Sequence, residues 1–181
     1  MSVFAYPSET IREAEKPLLE AGIPLMARAA RALANSAAAI LKSDHGQVSG
    51  TRVCVLAGPG NNAGDALFAA ATLGRRGAAV TVITLFDRTH DEGLAAARSA
   101  GAQVVTFTTA QAESARADAL SELSRADLVL DGILGTGGRR GLPGHISTLI
   151  AAWAPHRPGP LLPPGGPSPP PPHPPGAGGR L

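Results

Sequence analysis

The stretch that most restricts the fold of this chain is an apolar run, a glycine-rich turn and a helical segment in direct succession. Residues 53–57 (Val-Cys-Val-Leu-Ala) have the composition of a buried strand, and residues 58–65 read Gly-Pro-Gly-Asn-Asn-Ala-Gly-Asp. An alanine-rich segment with helical spacing follows, over residues 64–76. A strand, a glycine-rich turn and a helix start form the nucleotide-binding corner of open α/β sheets. The stretch therefore predicts an α/β protein with a ligand site after this strand.

The same alternation of apolar runs and helical segments continues along the chain. Further strands are predicted over residues 79–85, 103–107 and 126–130. Helices are predicted over residues 8–20 and 25–42 ahead of the first strand, and over 91–100, 110–124 and 146–153 after it. Strands that alternate with helices and lack hairpin signals predict a Rossmann-like, three-layer, doubly wound and mostly parallel sheet.

The composition agrees with one globular α/β domain and restricts the classes of partner that are expected for it. The chain has 181 residues, of which 44% are hydrophobic, and every acidic residue lies at or before Asp131. The basic excess belongs to the C-terminal region, so nucleic acid and anionic membranes are not expected as partners. No stretch approaches the roughly 20 apolar residues that span a bilayer, and a cytoplasmic location is expected. Cys54 lies within an apolar run and is expected to be a buried, inert thiol.

The composition changes after residue 153. Residues 155–181 contain 12 of the 17 prolines and no acidic residue. We therefore predict a domain over residues 1–153 and a disordered or polyproline tail over 154–181, with a sheet that is incomplete at its C-terminal end. Residues 158–164 are predicted to be a poor central strand. A proline-rich partner motif and the product of a shifted reading frame are the alternatives for this tail.

The first loop, residues 58–65, is richer in polar side chains than a plain dinucleotide-binding turn. It is not a Walker loop, because no Lys-Ser or Lys-Thr follows. Asp65, which is predicted in the first helical turn, would oppose a pyrophosphate. Asn61, Asn62 and Asp65 offer amide and carboxylate oxygens that suit a hard cation or sugar hydroxyls. The alternative is that the two Asn side chains stabilise turns and that Asp65 caps the helix.

The second loop, residues 131–141, follows the strand predicted over 126–130. Asp131 is an acid in an apolar context, which is costly unless something pairs with it, and it is placed to share a cation with Asn62. The glycines and the pair Arg139 and Arg140 suit a phosphate-bearing ligand, or else form an ordinary solvated turn. Three histidines lie near predicted loops and helix starts without metal-ligand spacing: His45, His90 and His145.

The two loops together resemble the paired signatures of the NAD(P)H-hydrate epimerase family, whose fold is the YjeF N-terminal domain. Residues 12–15 (Arg-Glu-Ala-Glu) and 25–29 (Leu-Met-Ala-Arg-Ala) are also similar to it, and the likeness covers about residues 8–153. The resemblance implies a Rossmann-like isomerase that interconverts the R and S epimers of NADHX and NADPHX in nicotinamide nucleotide repair. It also implies a potassium ion as cofactor, a functional partnership with an NAD(P)H-hydrate dehydratase and a possible homodimer.

The resemblance also assigns residues. It implies that Asn62 and Asp131 ligate the potassium ion, and it leaves Asp65 and Asp131 as the candidate catalytic carboxylates. The residues implied to bind substrate come from both loops: Asn61, Asn62, Ala63, Gly64, Asp65, Gly135, Thr136, Gly137, Gly138, Arg139, Arg140 and Gly141.

One departure from the family pattern leaves a second function open. The family continues into a strand that ends in Asp-x-Pro-Ser-Gly, which supplies a further substrate-binding Asp and a further potassium ligand. Here residues 166–169 read Gly-Pro-Ser-Pro with no acid beside them. The alternative function is therefore a catalytically inactive nucleotide- or partner-binding module of the same fold.

Overall fold

The structure is a computed structural model that describes residues 25–134, 141–156 and 159–164. The helix predicted over residues 8–20 and most of the proline-rich tail lie outside these ranges. The helices are α1 (Leu25–His45), α2 (Asn61–Arg75), α3 (Asp91–Ser99), α4 (Ala112–Ser124) and α5 (Gly144–Trp153). The strands are β1 (Arg52–Ala57), β2 (Ala79–Thr84), β3 (Gln103–Thr106), β4 (Leu128–Gly132) and β5 (Leu161–Leu162). Within the described ranges, no helix has the length and apolar character needed to cross a membrane.

The strands form one parallel sheet with β1 at its centre, in the order β3-β2-β1-β4-β5. The chain adds β2 and β3 outward on one side of β1 and then crosses back to place β4 on the other side. Such a reversal of strand order is the switch point at which open α/β sheets bind ligands, beyond the carboxyl ends of the strands. The predicted doubly wound parallel sheet is confirmed, and the two candidate loops follow adjacent strands.

Helices cover both faces of this sheet, because the side chains of the buried strands alternate between two cores. In β1, Val53 and Val55 belong to the core under α1 and α2, whereas Cys54 and Leu56 belong to the core under α4 and α5. The inner face of α2 is built largely from buried alanines, which let this helix lie close to the sheet: Ala63, Ala66, Ala69 and Ala70.

Helix α2 begins earlier than the sequence predicted. It starts at Asn61 rather than at residue 64, because Gly60 is the N-cap and its carbonyl accepts from the amides of Ala63 and Gly64. The prediction that Asp65 lies in the first helical turn was therefore wrong, since it lies in the second turn. For the same reason Asp65 does not cap this helix.

Regular structure continues beyond residue 153. A short 3-10 helix spans Ala154–His156, and β5 pairs with β4 in parallel, with the amide of Val129 donating to the carbonyl of Pro160 at 3.0 Å. Among the described strands β5 lies at the edge of the sheet, where proline neighbours are tolerated because one side of the strand needs no donors. The boundary predicted at residue 153 stays a prediction.

Burial makes the single cysteine chemically inert. Cys54 is 1% exposed, and desolvation, with the negative charge of Glu122 adding to it, raises the pKa of its thiol far above the ordinary value. Because the thiolate is the reactive species, we expect iodoacetamide to leave the native protein unlabelled at pH 8 and to label it once in concentrated urea. Mass spectrometry measures both states. Stoichiometric labelling of the native protein would contradict the burial of Cys54.

Candidate active site

The candidate site lies where the carboxyl ends of β1 and β4 meet. The two strands are paired in register, with Leu56 opposite Asp131 and Ala57 opposite Gly132. The first loop leaves β1 one residue later, and the second loop leaves β4 from the same edge. The two loops are about 70 residues apart in sequence, so only the strand order brings them together.

Backbone contact joins the two loops directly. The amide of Gly58 donates to the carbonyl of Gly132 at 3.0 Å. A Cβ atom on Gly58 would lie 1.9 Å from the carbonyl oxygen of Ile133, so this position has no room for a side chain. The glycine is therefore required by the close approach of two backbones.

The side chain of Asn62 makes a second link between the loops. Its Nδ2 donates to the carbonyl oxygen of Leu134 at 3.1 Å and has a longer contact of 3.5 Å with the carbonyl oxygen of Asp131. The side chain thus spans from the first turn of α2 to the end of β4. With Nδ2 used in this way, Oδ1 of Asn62 accepts no hydrogen bond from the described residues.

Asp131 lies beside this link, and one of its carboxylate oxygens already accepts a hydrogen bond. Its Oδ1 accepts from the amide of Ile133 at 3.0 Å, which fixes the side chain in a local turn. In the described part of the chain, no donor contacts Oδ2. The residue is half-buried, so its charge lies at the boundary between the core and solvent. The structure brings Asn62 and Asp131 together, as the sequence analysis expected for a parallel sheet, and it does so by pairing β1 with β4.

The other predicted residues of the first loop differ in how far a ligand can reach them. Asn61 is exposed in the first turn of α2, and its amide, like that of Asn62, precedes the first intrahelical hydrogen bonds. Asp65 is half-buried one turn later. Ala63 and Gly64 are buried, and their amides are already bonded to the carbonyl of Gly60.

Most of the second loop lies outside the described residues. That part is residues 135–140, which include Arg139 and Arg140. Gly141 is described; it is exposed and has a φ of +91°, the left-handed region that favours glycine. The predicted contacts of residues 135–140 with substrate therefore stay predictions.

The sequence did not predict the contacts that Thr89 and His90, in the loop after β2, make at the site. Thr89 Oγ1 donates to the carbonyl of Gly58 at 2.7 Å and so holds the first loop from the loop after β2. His90 is the N-cap of α3, where its Nδ1 accepts from the amide of Gly93 at 3.1 Å. Its ring lies against α2, 5.7 Å from that of Phe68 in an edge-on arrangement. A polar run before an apolar helical segment signals such a cap, but nothing local signals the contact with Gly58.

The other two histidines lie at opposite ends of the sheet and do not converge. His145 Nε2 is 3.4 Å from the carbonyl oxygen of Leu85 at the carboxyl edge. His45 Nε2 is 3.8 Å from Asp127 Oδ1 at the amino edge. Among the described residues, no group of three or more His, Cys, Asp or Glu side chains is arranged to hold a metal ion. A cation here would therefore depend on amide and backbone oxygens as well as on Asp131.

Comparison with known proteins gives matches over most of the chain. The family model described as "YjeF-related protein N-terminus" matches residues 22–159. An NAD(P)H-hydrate epimerase of Microbacterium testaceum is 45% identical over 150 residues, which make up 82% of this chain and 53% of that protein. A bifunctional NAD(P)H-hydrate repair enzyme Nnr of Mycobacterium tuberculosis is 40% identical over 151 residues, or 81% of this chain and 29% of that protein.

A solved structure supports the fold independently. The crystal structure of the yeast protein YNL200c aligns with a TM-score of 0.69 at 21% identity, over 88% of this chain and 68% of that one. At this identity the likeness shows the fold alone. The chain spans about half of the Microbacterium relative and less than a third of the Mycobacterium one.

Proposed function

Because this chain belongs to the YjeF-related protein N-terminus family, we propose that it is an NAD(P)H-hydrate epimerase domain that interconverts the R and S epimers of NAD(P)HX. Relatives named NAD(P)H-hydrate epimerase, from Microbacterium testaceum and Clavibacter michiganensis, support the activity. The observation that supports this activity in the present chain is the hydrogen bond from Asn62 to the carbonyl of Leu134. It joins the two signature loops into one site beside Asp131. A role confined to a local turn would not require the amide side chain of Asn62 to reach from the first turn of α2 to the loop after β4.

The proposed reaction needs a group that moves protons at one carbon. The epimerised carbon carries a hydroxyl group and a ring nitrogen. As the C–O bond breaks, the nitrogen lone pair stabilises the cation that forms, and the hydroxyl takes a proton and leaves as water. Water then adds to the opposite face and gives up a proton. A positioned carboxyl group can donate the first proton and accept the second, and Asp131 and Asp65 are the two candidates in the site.

A potassium ion fits the oxygen atoms that Asn62 and Asp131 present at this site. Asn62 Oδ1 and Asp131 Oδ2 accept no hydrogen bond within the described ranges, and the backbone carbonyls of Asp131 and Leu134 contact Nδ2 of the same Asn62 side chain. Amide, carboxylate and carbonyl oxygens are the ligands of hard cations. We propose that these two side chains hold the ion, whose positive charge would offset the negative charges of the loop and of the substrate phosphates.

The substrate would lie across the N-terminus of α2. The free amides of Asn61 and Asn62 and the positive end of the helix dipole favour a phosphate group there. Asp65 lies in the second turn, farther from such a phosphate than the sequence implied, and its carboxylate suits a hydroxyl of the substrate. We propose that residues 135–141, with Arg139 and Arg140, complete the contact from the other loop.

The partners follow from the same resemblance. We propose that the domain works with an NAD(P)H-hydrate dehydratase, because bifunctional repair enzymes are among its relatives. A lone buried cysteine is in keeping with a reducing compartment, so we propose the cytoplasm as its location. A homodimer is a further proposal from the resemblance, and sedimentation equilibrium of the purified chain tests it.

One observation favours a second function, a catalytically inactive binding module. No acidic residue follows Asp131 in the sequence, so the carboxylate that the family places after its next strand has no counterpart here. If that carboxylate is the acid or base, the site can hold its ligand without turning it over.

A coupled assay separates the two functions. The purified chain is incubated with R-NADHX, potassium and an excess of dehydratase that consumes only the S epimer, and the NADH formed is measured by absorbance. Conversion faster than the uncatalysed rate supports the epimerase. Binding by calorimetry without faster conversion supports the inactive module, and absence of both overturns both functions.

Asn62 gives a specific test of the cation site. We expect Asn62→Ala to lower the epimerisation rate about 10- to 100-fold and to raise the potassium concentration needed for half-maximal activity, because one ligand and the link to Leu134 are lost. Asn35→Ala on α1, which removes an exposed partner of Arg76, is the matched control and should leave both values unchanged. Wild-type potassium dependence in the Asn62 variant would contradict the assignment.

A further inference from the structure

A polar cavity lies at the edge of the sheet opposite to the candidate site. Its volume is about 370 Å³, and it is formed at the amino ends of β1, β2 and β3 together with the end of α4. That volume is within the range of small-molecule sites, roughly 300–1,000 Å³. We call it the amino-edge cavity. The residues that matter for its chemistry are Arg52, Thr81, Gln103, Glu122 and Arg125.

Two guanidinium groups line this cavity. Neither Arg52 nor Arg125 makes an ion pair or a side-chain hydrogen bond with any of the described residues; by contrast, the guanidinium of Arg76, the C-cap of α2, donates to Asn35 at 3.3 Å. The backbone of Arg52 is nevertheless held, because its amide donates to Asp127 Oδ2 at 2.8 Å. Two arginines that line one cavity from different elements are suited to bind a phosphate or a carboxylate.

Glu122, the acidic residue in the same cavity, restricts the class of ligand further. Glu122 Oε2 accepts from Thr81 Oγ1 at 2.8 Å, and Thr81 is 8% exposed, so the carboxylate is held to the wall of the cavity. The other oxygen of Glu122 can accept from a ligand hydroxyl. A ligand that is anionic throughout would be repelled by Glu122. A ligand with an anionic end and a hydroxyl-bearing body satisfies both parts of the cavity.

We propose that the amino-edge cavity is a second binding site, which takes a small phosphate ester of a sugar with its phosphate on Arg52 and Arg125 and a hydroxyl on Glu122. This site is separate from the proposed epimerase site, because it lies at the amino edge of the sheet, whereas the epimerase site lies at the carboxyl edge. Its occupancy does not depend on whether the chain epimerises NAD(P)HX.

Chemical-shift changes of backbone amides in nuclear magnetic resonance spectra show where on the chain a ligand binds. The nitrogen-15-labelled chain is titrated with ribose 5-phosphate, with ribose and with inorganic phosphate. We expect ribose 5-phosphate to give saturable shifts of the amides of Gly50, Gly101 and Gln103, which line the cavity. Inorganic phosphate should shift the same amides at higher concentration, and ribose should leave them unmoved.

Charge variants test the assigned contacts. Arg52→Gln and Arg125→Gln should each weaken ribose 5-phosphate binding by at least about tenfold, since each removes a charge-assisted contact. Arg98→Gln is the matched control, because Arg98 is exposed on α3 and does not line the cavity. Glu122→Gln should strengthen the binding of inorganic phosphate by about threefold, since it removes a repelling charge, and should reduce the preference for ribose 5-phosphate.

Several results would contradict the proposal of this second site. Unchanged amide chemical shifts at Gly50, Gly101 and Gln103 on addition of ribose 5-phosphate would do so. An equal loss of ribose 5-phosphate affinity in Arg52→Gln and Arg98→Gln would also do so. Shifts confined to Asn61 and Asn62 would place the phosphate at the N-terminus of α2, which overturns the second site and leaves the proposed epimerase site intact. Failure of the coupled assay, with the cavity shifts present, would remove the proposed function alone.

Discussion

Gly58→Ala is expected to lower the free energy of unfolding by about 3 kcal/mol, a large share of the 5–15 kcal/mol typical of a domain. The new Cβ would lie 1.9 Å from the carbonyl oxygen and 2.7 Å from the carbonyl carbon of Ile133. Both are backbone atoms in the strand end beside β1, so they cannot turn away as a flexible side chain would. Relief of the clash requires the two loops to separate, which also breaks the hydrogen bond from the Gly58 amide to Gly132.

Gly60→Ala, two residues along the same loop, is the matched control. No atom lies within 4 Å of a Cβ placed on Gly60, and its φ of −116° suits any residue. We expect a loss of no more than about 1 kcal/mol, because alanine is a weaker N-cap than glycine. Urea unfolding followed by the fluorescence of Trp153, the single tryptophan of the chain, measures both variants. Equal stability of the two variants would show that the backbones are not in contact at Gly58.

Asp131→Asn is expected to have the largest effect on the proposed activity, a loss of about 10²- to 10⁴-fold in epimerisation rate. Asparagine retains an oxygen that can accept from the amide of Ile133, so the local turn and the fold should survive. What disappears is the negative charge, and with it the group that either exchanges protons or attracts the cation. The coupled assay at saturating potassium measures the loss, and the urea midpoint should stay within error of the wild type.

Two further variants show which part of this effect is specific. Asp118→Asn removes an exposed carboxylate on α4 and should leave the rate unchanged. Asp65→Asn distinguishes the two candidate carboxylates, because replacement of the one that exchanges protons should cause the larger loss of epimerisation rate. An Asp131→Asn variant that keeps full activity would remove this residue from both the catalytic and the cation roles.

Much of the fold was predictable because its signals are local. The apolar runs that end at residues 57, 85 and 130 predicted strands, and the alternation with helical segments predicted a parallel sheet. The start of α2 was predicted three residues late, since the two Asn side chains and Gly64 suggested a longer loop, whereas the carbonyl of Gly60 already begins the helix. Strand β5 was not predicted, because its prolines argue against a strand and only the open edge of β4 accommodates it.

The candidate site was predicted in its residues but not in its contacts. The sequence named Asn62 and Asp131 as neighbours in a parallel sheet, and the strand order of the structure places them side by side. The hydrogen bond from Asn62 to the carbonyl of Leu134, the one from Thr89 to Gly58 and the one that Asp131 accepts from Ile133 do not follow from any spacing. Residues 135–140, which carry the other half of the predicted substrate site, lie outside the described ranges.

For this protein, the sequence by itself determined the α/β class, the position of both loops and the polar residues that those loops carry, because each depends on neighbours within a few positions. Only the tertiary structure decided that β4 lies beside β1, that Gly58 contacts a facing backbone and that Arg52 and Arg125 line one cavity. The physical reason is the same in each case. These contacts join residues many positions apart, and their geometry is set by strand order and by packing on both faces of the sheet.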